Sequence, residues 1–130
     1  MKRTARLVAA ITVALLVPLL SEMPLLAADS AVRSMATVLL NFRHVPTVAQ
    51  TTTLQGILDD PATTAAERVL ANALLNVEHI ASPEDKPRLE ALMRDKSAPL
   101  AVKTLAAILE NFTHVPTVAD KRRLLQVCKK

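Results

Sequence analysis

Ala36-Thr37-Val38-Leu39-Leu40-Asn41-Phe42-Arg43-His44 returns as Ala71-Asn72-Ala73-Leu74-Leu75-Asn76-Val77-Glu78-His79, and again as Ala106-Ala107-Ile108-Leu109-Glu110-Asn111-Phe112-Thr113-His114. The period is 35 residues, and all three histidines of the chain fall at one repeat position. A fixed period of this length is the mark of a tandem-repeat fold, in which each unit buries its apolar face against the next.

Each unit reads as two helices. In the middle copy the longer segment runs over Ala62–Ile80, with Ala66, Val69, Leu70, Ala73, Leu74 and Val77 at the three-four spacing of one helix face. The first copy keeps that face with Met35, Val38, Leu39, Phe42 and Val45, and the third with Ala101, Leu105, Ile108, Leu109, Phe112 and Val115. The shorter segments span Val48–Asp59, Glu84–Asp95 and Val118–Lys129. Their inward triplets are Leu54/Ile57/Leu58, Leu89/Leu92/Met93 and Leu124/Val127/Cys128. Leu54, Leu70, Leu74, Leu89, Leu105 and Leu109 are the predicted core. Pro46, Pro83 and Pro116 stop the preceding helix. Thr47, Ser82 and Thr117 are candidate N-caps for the next one. A single glycine, Gly56, and the lack of Tyr and Trp argue against strands and turns, whereas abundant Ala and Leu suit helices.

The chain is thus expected to be all-α, with about six helices forming a right-handed solenoid-like stack of antiparallel pairs. In this character it resembles the α-solenoids, HEAT-like repeats in particular, over residues 29–130. The Trp, Gly and Tyr landmarks of tetratricopeptide repeats are absent, and nothing matches the pentatricopeptide motif. The resemblance implies a binding or scaffolding role and carries over no functional residue. Within such a stack Glu110, standing where Leu40 and Leu75 stand, suits a solvated last repeat.

Residues 1–28 have the form of a secretory signal peptide. Lys2, Arg3 and Arg6 precede an apolar run from Leu7 to Leu20, and Ala27-Ala28 offers a cleavage site before Asp29. That run is short against the roughly 20 residues of a membrane span. The expected domain is residues 29–130, periplasmic or secreted, touching a membrane only through the leader before cleavage. The leader takes three of the 16 basic and one of the 12 acidic residues, which leaves a net charge of only +2. That balance argues against nucleic acid as a partner. Cys128 is the lone cysteine, so no internal disulfide forms. It is read as a core residue, by alignment with Leu58 and Met93, the alternative being a disulfide between two chains.

The Asn-x-x-His signature, Asn41/His44, Asn76/His79 and Asn111/His114, admits two readings. As structure, each histidine caps the carbonyls of a long helix's last turn and each asparagine ties into the neighbouring connector. As chemistry, a row of imidazoles responds to metal or to pH. Helices stacked in a row at about 8–10 Å put the first and third histidines roughly 16–20 Å apart. One ion at about 2 Å from each nitrogen could not gather them. The structural reading therefore leads, with no metal, cofactor or catalytic site assigned. No nucleophile–base pattern, phosphate loop, CxxC or HExxH occurs. The expected function is an exported module that binds or scaffolds another protein, through the variable positions Arg43, Glu78, Thr113 and the outward Leu125. The C-terminal helix is a candidate homodimer contact. The alternative is a metal- or pH-responsive periplasmic factor that uses the histidine row.

Overall fold

Six α-helices make up the fold in a computed structural model of the chain, which describes the backbone of residues 23–130 and the side chains from Ser30 onward. They are α1 (Met23–Leu40), α2 (Val48–Asp59), α3 (Ala65–Leu75), α4 (Lys86–Arg94), α5 (Leu100–Glu110) and α6 (Val118–Lys129). The leader's basic start and apolar run lie outside the described residues. Helix α1 begins at Met23, upstream of the start expected near Asp29. Its described core side chains begin at Ala31. Among the described residues no helix is long and apolar enough to cross a membrane.

The short helices α2 and α6 start where Thr47 and Thr117 cap them. Each threonine hydroxyl accepts from the backbone N–H three residues on, and the side chain there (Gln50, Asp120) accepts from the threonine N–H. Burial pushes the Asp120 carboxyl up, but hydrogen bonds from Thr117 and Arg123 outweigh it and hold the group below its ordinary value. Ser82 does not cap α4. Its hydroxyl bonds Glu84 instead, and the helix starts later, after Asp85. The third capping box is Thr64 with Glu67 at the start of α3, inside the stretch expected to be helix from Ala62.

The long helices α1, α3 and α5 pack on one another. Their contacts repeat in register: Met35, Leu70 and Leu105 are buried, as are Ala36, Ala71 and Ala106, and then Leu39, Leu74 and Leu109. The alanines let the helices approach closely. The expected core leucines are all buried. Glu67 stands where the other copies have Val32 and Val102, and is buried with its carboxylate on the Thr64 N–H.

Each short helix packs on the long helix of the next unit: α2 on α3, α4 on α5, and α6 back on α1. The last of these contacts closes the chain into a ring of three. Helices α1 and α5 also touch, and the Phe42 and Phe112 rings meet edge to face with centroids 5.3 Å apart. The Thr37 hydroxyl lies 3.7 Å from the Cys128 sulfur, and Cys128 is half-buried against the core.

This corrects the expectation of an open, row-like stack. In a row, the first and third units would have the whole second unit between them. Here the units are related by rotation about a common axis, so that among the described residues each unit packs on two others. Glu110 is partly buried, like Leu40 and Leu75, and marks no free end.

Closure has an energetic signature. Leu39, Leu74 and Leu109 occupy equivalent buried places, so truncating any of them to alanine should cost about 2–5 kcal/mol, with the three values alike. Chemical denaturation of the three variants checks this. A Leu39 or Leu109 variant far milder than the Leu74 variant would speak for frayed outer repeats.

Candidate metal centre

Each long helix ends one residue before its signature asparagine, and the chain then turns sharply at the histidine. His44, His79 and His114 have φ of 62°, 69° and 62°. The left-handed region is costly for residues with a Cβ, by about 1–2 kcal/mol, and histidine is among the few non-glycine residues enriched there. The Val45 N–H donates to the Arg43 carbonyl and the Val115 N–H to that of Thr113, each closing a three-residue turn about its histidine.

These turns place the histidine backbones on the common axis, where they bond in a cycle. His79 N–H donates to the His44 carbonyl at 2.7 Å, His114 N–H to His79 at 2.6 Å, and His44 N–H to His114 at 2.8 Å. Three donors and three acceptors outside any helix are thereby satisfied. The side chains follow the same symmetry. The three Nδ1 atoms are 3.2 Å apart in every pair. The ring planes meet at 61–63°. Planes that share a three-fold axis meet at about 60°, as these do, and each ring turns its Nδ1 edge toward the other two.

The expected 16–20 Å separation of the first and third histidines is therefore overturned. It assumed translation from unit to unit, and the units are rotated instead. The histidines also lie beyond the long helices and do not cap their carbonyls. Nor do the asparagines tie one unit to the next as expected. The Asn41 and Asn111 amides donate to Thr37 and Ala107 carbonyls of their own helices. The Asn76 amide donates to the buried Asp85 carboxylate at the start of α4. The positions Arg43, Glu78 and Thr113 each precede a histidine of the triangle and are exposed, while Leu125 is half-exposed on α6.

Hydrogen bonding alone cannot satisfy such a triangle. The Nδ1 of a neutral imidazole is either a donor or an acceptor. With two roles and three corners, at least one edge must pair two lone pairs or two N–H groups. A cation at the centre removes the conflict by accepting all three lone pairs from the Nε2–H tautomers. The size is right. A triangle of 3.2 Å sides puts each corner about 1.8 Å from the centre. Those corners lie within the roughly 2.0–2.1 Å of a zinc–imidazole bond, so His44, His79 and His114 would be able to hold an ion of that size, which would supply a Lewis-acid centre.

Among the described residues these three are the one group of His, Cys, Asp and Glu placed to share an ion, and all three are exposed. Among the described residues no protein group is bonded to their Nε2 atoms, and the backbone cycle holds the three turns that carry the rings. The shallow grooves between α1 and α2 offer no comparable site. Their Thr37, Thr53 and Thr63 hydroxyls already donate to backbone carbonyls.

Comparison with protein families, with curated proteins and with solved structures finds no match. The centre is thus read from its own chemistry. One signal for it stood in the sequence: exactly one histidine per unit, in a chain of three units. Rotation brings such residues together, whereas translation holds them apart.

If the left-handed turns exist to aim the side chains, glycine should suit the backbone better than alanine does. Metal-free His79→Gly is expected to be more stable than His79→Ala by up to about 1 kcal/mol, the relief of the Cβ clash less the extra chain entropy of glycine. Thermal denaturation in chelator measures this. An alanine variant clearly more stable than the glycine one would contradict the turn geometry.

Proposed function

We propose that the protein binds a first-row divalent metal ion, zinc foremost, through Nδ1 of His44, His79 and His114. One observation carries the reading: three imidazole nitrogens, one from each repeat, form a 3.2 Å triangle that a tetrahedral ion fits. Imidazole suits zinc, copper, nickel and iron, and Cu²⁺ binds a given nitrogen site more tightly than Zn²⁺, so supply decides the occupant. The bound ion also ties the three units together at their joint, adding its binding energy to the fold.

The signal-peptide pattern read in residues 1–28 supports export, to a periplasm or out of the cell, where the protein would meet metal ions outside the cytoplasm. The scaffolding role that helical repeats suggest has less to rest on. It rested on an architectural resemblance to α-solenoids, and the packing of α6 on α1 departs from the row that resemblance implied. Arg43, Glu78 and Thr113 then vary around a metal centre, since each directly precedes a ligand.

Calorimetric titration of the chain with Zn²⁺ at neutral pH is the test. One ion per chain is expected, with affinity at least about tenfold weaker in His79→Gln, since loss of a mere supporting partner of a ligand already costs about 10–100-fold. Binding should weaken as the pH falls, because protons compete for the same lone pairs. Absence of binding, or binding untouched in His79→Gln, would refute the reading.

A further inference from the structure

The histidine triangle supplies three donors, and a tetrahedral ion takes four. No carboxylate or thiolate among the described residues shares the site. The three ligands are exposed, so the remaining position opens to solvent. All three donors are neutral imidazoles when they ligate, which leaves the ion its full double positive charge. An open, doubly charged centre favours an anion over a neutral ligand.

The surroundings narrow the choice further. The residue after each ligand is an aliphatic β-branched one: Val45, Ile80 and Val115. They are exposed to nearly the same degree, 46%, 48% and 46%, as the three-fold arrangement requires. Each Cα lies one peptide, about 3.8 Å, from that of its ligand. By the repeat they stand at three equivalent places, each one residue from an imidazole of the triangle, as an aliphatic collar. Large aliphatic side chains left half in water at three equivalent places gain from contact with an apolar group.

We infer that the fourth coordination position of the three-histidine centre takes an external monoanion with an apolar body, a short aliphatic carboxylate being the simplest. The inference rests on the metal reading above and adds to it a ligand class. The carboxylate oxygen displaces water from the ion while the hydrocarbon tail lies against Val45, Ile80 and Val115. No bond other than the metal–oxygen bond is made or broken, and the displaced water leaves to solvent.

Cobalt substitution tests both layers separately. The full chain is loaded with Co²⁺, whose visible bands report coordination number and ligand exchange. Sodium azide, acetate and butyrate are then titrated in at constant ionic strength and pH. Saturable band shifts with azide and with both carboxylates are expected. Butyrate should bind more tightly than acetate, by up to about fourfold for each methylene withdrawn from water. The Ile80→Ser variant, altered at an exposed position, should lower that butyrate-to-acetate ratio.

The failures are distinguishable. Cobalt that does not bind, or that binds equally well to His79→Gln, overturns the metal reading and this inference with it. Cobalt that binds through the histidines but ignores azide and carboxylates overturns the open position alone. Equal binding of acetate and butyrate, unchanged in Ile80→Ser, overturns the aliphatic collar.

Discussion

The N–H of each histidine donates to the carbonyl of the histidine in the preceding repeat, and the first donates to the third. This cycle of three hydrogen bonds is where the three units meet. Each bond contributes only about 1 kcal/mol net, and each left-handed histidine costs a similar amount or more. The cycle therefore cannot close the ring by itself. Packing supplies the rest: the leucine layer of Leu39, Leu74 and Leu109, the Phe42–Phe112 contact, and α6 lying back on α1. The cycle in turn sets the register of the turns to within a hydrogen-bond length. That is the precision three nitrogens need to share a centre.

A ring of three units also explains how a sparse sequence yields a dense site. Gathering three imidazoles around one point normally takes residues from unrelated parts of a chain. Here a single histidine per repeat suffices, because rotation superimposes the same position three times. The rest of each unit is then free to diverge. Val77 replaces phenylalanine in the middle copy, Glu67 replaces valine, and Arg43, Glu78 and Thr113 share no chemistry at all. Beside the packing alanine and leucine layers, what stays constant is the asparagine, the left-handed turn, the histidine and the β-branched residue after it.

Much of the fold was legible in the sequence. The bounds of α2 and α6 coincide with the predicted segments, because a threonine cap and an apolar triplet mark both. The core leucines followed from the three-four spacing. Less visible were the caps of α3 and α4. Ser82 has the right chemistry but spends its hydroxyl on Glu84, and Thr64 was hidden inside a run with helical composition. The arrangement of the units was misread, for a physical reason. A 35-residue period states that the units are equivalent, but not whether translation or rotation relates them. That operation depends on how the apolar faces of α1 and α5 fit each other, and such fit has no local signature. The separation of the histidines was derived from the wrong operation, so the candidate site was recognised as residues and missed as a site.

Closure itself can be tested without any metal. The chain has two phenylalanines, no tyrosine and no tryptophan, so its aromatic proton spectrum contains only Phe42, Phe112 and the three histidines. In the closed ring the phenylalanine rings meet edge to face at 5.3 Å between centroids. A nuclear Overhauser spectrum of the folded protein should therefore show strong cross-peaks between the Phe42 and Phe112 rings, from residues in the first and third repeats. Cross-peaks confined to neighbouring repeats, with none between these two rings, would contradict the ring and everything built on it.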